Sequence, residues 1–146
     1  MTRLPSSALA MSLLLVVPTV LAAQKVLIRG ATRADVVREV NNQLNDQGFK
    51  LEDTTKSEAR WGLDRGLVSQ TSGGVVQSVP IVLELHLRFK DKQDGLEVTA
   101  DEEVVGNRGR GGSTEFRKPV HATAERESMQ QLLDIVKTAL EGRSQK

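Results

Sequence analysis

Hydrophobic and polar residues alternate without a break from Ile81 to Phe89. Ile81, Leu83, Leu85, Leu87 and Phe89 share one side of an extended chain, and Val82, Glu84, His86 and Arg88 share the other. Period-two patterning predicts a strand with one face on a core and one in water. Pro80 stands at its start, where a missing amide does least harm. Asp91–Gly95 has turn composition, and Leu96, Val98 and Ala100 resume the alternation. Core residues are odd-numbered before the turn and even-numbered after it, so opposed pairs must sum to an odd number. The register that satisfies this pairs Asp91 with Leu96, Phe89 with Val98 and Leu87 with Ala100. On the wet face it sets Lys90 against Glu97 and His86 against Asp101. Glu102 would then point inward, so a bulge or strand end is expected over Asp101–Glu103.

Two other segments have a helical period. From Arg33 to Gln47 the apolar positions are Val36, Val37, Val40 and Leu44, one stripe on a helix. Thr32 and Asp35 have the spacing of a capping box, and Gly48 supplies a left-handed stop. Met129, Leu132, Leu133, Val136 and Leu140 form a second stripe, with Thr123 as its expected cap and Gly142 as its end. Short strands are predicted at Lys25–Arg29, directly after Gly48 and over Thr114–Val120. Ser57–Val68 has the residues for another around Arg60, Trp61 and Leu63, weakened by Gly62 and Gly66. Gln70–Gly74 has loop composition. The order strand, helix, strands, helix predicts an α+β two-layer sandwich, a mostly antiparallel sheet with both helices on one face. The other face is expected to be open to water or a partner.

The N-terminus departs from this pattern. Arg3 is followed by an apolar run over Ala8–Val17, then by Pro18 and by Val20-Leu21-Ala22. A positive start, an apolar middle and a small-residue end are the parts of a cleaved secretory signal. The run is shorter than the roughly 20 residues a spanning helix needs. The expected organisation is a signal peptide over 1–22, one domain over 23–142 and a flexible tail over 143–146. With no cysteine there is no lipid-attachment residue, so a periplasmic or secreted product is expected, with no stable membrane span after cleavage.

Composition narrows the function classes. Removing residues 1–22 takes away Arg3 and no acidic residue, which balances the charge against the 19 acidic side chains. A neutral chain lacks the basic surplus that holds proteins to nucleic acid by counterion release. The absence of cysteine excludes thiol catalysis and thiolate metal sites. Three phenylalanines, one tryptophan and no tyrosine are too few for an extended stacking platform.

The candidate chemistry is correspondingly thin. His86 opposite Asp101 is an acid–base pair by type, yet no G-x-S-x-G elbow supplies a nucleophile. The Gly106–Thr114 stretch is glycine-rich with Arg108 and Arg110, but Gly112 replaces the lysine a phosphate loop requires. That leaves an anion site on the two arginines or a soluble hairpin tip. His86, His121, Asp101, Glu102 and Glu103 lack metal-motif spacing, so no metal and no cofactor is expected. Arg60 and Trp61 are of the types enriched at binding hot spots, on a segment that could add a partner's strand at a sheet edge. The reading favoured by the sequence is an exported, non-catalytic interaction module with an envelope protein partner. Its rivals are a small hydrolase or lyase using His86 with Asp101, and an anion binder using Arg108 and Arg110.

Overall fold

The computed structural model describes residues 24–144, apart from the side chain of Ser72. The expected signal segment and the last two residues of the tail lie outside them. The chain is an α+β fold of six antiparallel strands and two helices: β1 (Gln24–Ile28), α1 (Arg33–Asn45), β2 (Lys50–Thr54), β3 (Glu58–Ser72), β4 (Val75–Lys92), β5 (Gly95–Gly106), β6 (Phe116–Pro119) and α2 (Thr123–Arg143). The strand order is β1-β5-β4-β3-β2. β6 also pairs with β5, over 103–106, in line with β1 on 96–100.

The hairpin β4–β5 has the register that parity requires, with Asp91 on Leu96, Phe89 on Val98, Leu87 on Ala100, Lys90 on Glu97 and His86 on Asp101. The odd-numbered face of β4 packs with Ala59, Trp61, Leu96, Val98 and Ala100 against Val36, Val40 and Leu44 of α1 and Met129, Leu133, Val136 and Leu140 of α2. One core therefore serves both helices. α1 begins on the Thr32–Asp35 capping box, the Thr32 hydroxyl accepting from the Asp35 amide and the Asp35 carboxylate from the Thr32 amide. Gly48, at φ 85°, turns the chain into β2.

The structure corrects several local expectations. β5 runs through Asp101–Glu103 with no bulge, so Glu102 does face the helix side, opposite Leu85. Gln70–Gly74 is not a loop, because β3 continues to Ser72 and turns into β4 on Gly73 and Gly74, at φ 57° and 80°. Two consecutive positive φ values are those of the hairpin turn that matches strand twist. β4 accordingly starts before Pro80, which pairs with Leu67 beside a bulge between Asp64 and Leu67. The Pro80 carbonyl accepts from the Asn107 amide, so its missing amide falls on the β4 edge that β5 leaves at Ile81, where it does least harm. α2 is capped by Ala122 without a side-chain bond, Thr123 being its first helical residue. It also runs past Gly142.

Candidate functional site

The even-numbered face of β4 is covered at its centre, not open. Gly62 lies opposite Glu84 on β3, and the Glu52 carboxylate lies where a side chain at Gly62 would stand. Gly106 is overlaid in the same way by the Phe116 ring. From the loop after β5, Arg108 reaches back, its Nη1 donating to Glu52 Oε1 and Oε2 at 2.8 and 2.6 Å. The same nitrogen stands 3.1 Å from Glu84 Oε1. Arg117 Nη1 donates to Glu84 Oε2 at 2.9 Å and to Glu103 Oε2 at 3.2 Å, and His86 Nε2 stands 2.9 Å from Glu84 Oε2. Glu84 is thus fully buried beneath two guanidinium groups and an imidazole. Burial pushes its carboxyl up, but the bonds from His86 and Arg117 and the Arg108 charge outweigh that and hold it below the ordinary glutamate value.

Glu84, His86 and Glu103 are metal-ligating types with donor atoms within 4.8 Å of one another. The Arg117 guanidinium bridges the two carboxylates, standing where a cation would, so the cluster is a side-chain salt-bridge network. His86 and Asp101 face each other across β4 and β5, yet their side chains part: Asp101 binds Arg88 and His86 binds Glu84. No hydroxyl among the described residues is bonded to His86. His121, distant in sequence, borders a hollow of about 300 Å³ together with His86 and Asp101.

The remaining sequence-derived candidates are dispersed. Trp61 has 0% exposure and its indole Nε1 donates to Asn41 Oδ1 at 3.3 Å, so it is a core residue with its polar edge satisfied by α1. Arg60 turns to the opposite face and pairs with Asp53 at 2.9 Å. Arg108 and Arg110 do not act together: the first is clamped over the sheet, and the second is exposed in the turn bonded from the Arg110 amide to the Asn107 carbonyl.

Sequence reasoning missed an exposed apolar feature among the described residues. β2 pairs with β3 no further than Gly62, and β5 with β4 no further than Ile81. The hairpin of residues 67–80 therefore projects as a two-stranded arm. Leu67, Val68, Val75 and Val76 on it are 65, 49, 58 and 67% exposed. In a chain with 27% charged residues, Gly66–Leu83 contains none. That charge-free interval was the signal available in the sequence.

On the helix side, α2 outruns the shorter α1. A cleft of about 290 Å³ opens there, between Leu44 and Phe49 on one wall and Met129, Leu132 and Ile135 on the other, with Leu85 and Glu102 in its lining. Among the described residues, no helix is long and apolar enough to cross a membrane. The chain matches no known protein-family model and no curated protein sequence.

Proposed function

We propose that this protein is an exported, non-catalytic interaction module of the bacterial cell envelope, which holds a protein partner by its β3–β4 arm. The observation that carries the reading is the projecting, exposed and charge-free hairpin. Strand edges left open to solvent template pairing with other chains, and proteins ordinarily blunt them with charges or cover them. Here the β4 edge is blunted at its base by Pro80, whose carbonyl accepts from the Asn107 amide at 3.1 Å. Past the bulge at Asp64/Leu67, no strand among the described residues pairs with the outer edge of β3, so the partner contributes a strand there by β-augmentation. The signal-like segment over 1–22 supports export. The engagement of His86 by Glu84 favours binding over hydrolysis, and the separation of Arg108 from Arg110 disfavours an anion site.

A photo-crosslinking residue at Val68, in cells, should give a discrete protein adduct that the same residue at Arg143 does not. The double variant Leu67→Lys, Val76→Lys should abolish the adduct while the protein stays folded. Binding of the recovered partner should protect β3 amides beyond Gly62 from exchange. Equal adducts from both positions, or protection confined to the helices, would overturn the assignment.

A further inference from the structure

Leu96, Val98, Ala100, Glu102 and Val104 occupy the helix side of β5 in an unbroken register. Glu102 is the single charged residue in that row. A valine or leucine there would complete the face, and local departures from such a pattern concentrate where a fold serves function. The carboxylate is instead delivered into the cleft between α1 and α2, whose walls are Leu44, Phe49, Met129, Leu132 and Ile135.

Three features define what would fit. The cleft exists because α1 ends at Asn45 and Gly48 turns the chain away, while α2 continues over the sheet. Its 290 Å³ is at the small end of ligand pockets. Its apolar walls suit a single hydrocarbon chain. Its charged group is acidic: burial, with some repulsion from Glu125, pushes the Glu102 carboxyl up, and the Arg65 charge only partly opposes this. Neutral Gln43, Gln47, Ser128 and Gln131 complete the rim. No hydrogen bond or ion pair engages the Glu102 side chain among the described residues, so a donor arriving with the ligand would offset a desolvation already incurred.

We propose that this cleft binds a small amphiphilic amine, its ammonium on Glu102 and its alkyl chain between α1 and α2. A primary ammonium fits better than a guanidinium because it is compact and donates in any direction. The site is separate from the arm and independent of the partner reading.

The test is an amide NMR titration of the purified protein at pH 7 with hexylamine, hexanol and hexanoate. Hexylamine should shift Phe49, Glu102 and Met129 and bind at least tenfold more tightly than hexanol, and hexanoate should be weakest. Glu102→Gln should bring hexylamine down to the affinity of hexanol and leave hexanol unchanged. Arg65→Ala, which removes a cation opposing the ammonium, should strengthen hexylamine alone. Equal binding of hexylamine and hexanol, or a Glu102→Gln variant that keeps the preference, would falsify the proposal. Shifts confined to the arm would do the same, since they place the amine on the wrong surface.

Discussion

Glu84 shows how one side chain can organise a surface. It accepts from Arg117, meets His86 and faces Arg108, so neutralising it leaves three polar groups without their common partner. Both arginine side chains keep about a third of their exposure, at 31 and 38%, and recover hydration in part. Glu84→Gln should therefore cost about 1–3 kcal/mol of unfolding free energy, read from urea melts. Its carboxyl is held below the ordinary 4.5 in the fold. The stability it contributes is complete above that value and is lost as pH falls through the folded one. Glu84→Gln should accordingly flatten the acid limb of the stability curve. Glu102 carries the opposite sign. Its folded pKa is raised, so stability is gained as pH falls through that value, and Glu102→Gln should melt at a higher temperature than the parent at pH 7. A lower melting point at neutral pH would contradict its placement against the apolar cleft.

Elements here are shaped by single glycines and caps as much as by hydrophobic stripes. Gly95 opens β5 at φ 154°, and a side chain there would stand 2.5 Å from the Ile28 carbonyl oxygen of the neighbouring strand. Backbone cannot retreat as a flexible side chain can, so Gly95→Ala should destabilise by about 2 kcal/mol or more, seen as a shifted urea midpoint. Thr32→Ala removes the hydroxyl of the capping box and should cost about 1 kcal/mol. The register of β4–β5 and the stripe of α1 were legible because a buried face fixes parity and helical period. The arm was not. Its residues Ser69–Thr71 and Val75–Ser78 bury nothing, so no periodicity marked them, and Gly73–Gly74 had the composition of a loop. Glu102 was misjudged because a charge on a core face argues for a break in the strand. The strand can continue because α1 ends short of that stretch of the face and leaves the carboxylate in the lining of the cleft beside α2.

At the scale of the molecule, the two faces of the sheet are finished differently. One packs under the two helices, and the other carries a carboxylate–guanidinium lattice, with Glu52 and Phe116 laid over two glycines. Trp61, read from the sequence as a binding residue at a sheet edge, lies under the helices because β3 is an inner strand with β2 outside it. The long-range contacts that hold it could not be foreseen from its own neighbourhood. Hydrogen exchange should divide the chain accordingly: amides of β4 and β5 between 85 and 100 last to exchange, those of 67–80 first. A protected arm in the isolated protein would mean that it is already covered.

The pairing of β1 with residues 96–100 has a further consequence. Ribosomes deliver a chain from its amino end, so Val26 and Ile28 emerge long before Val98 and Leu96, the residues they will lie against. Until then the first strand has no place in the sheet. The β2–β3 and β3–β4 hairpins join neighbours in sequence, but the sheet can gain its β1 edge only once residue 100 is free.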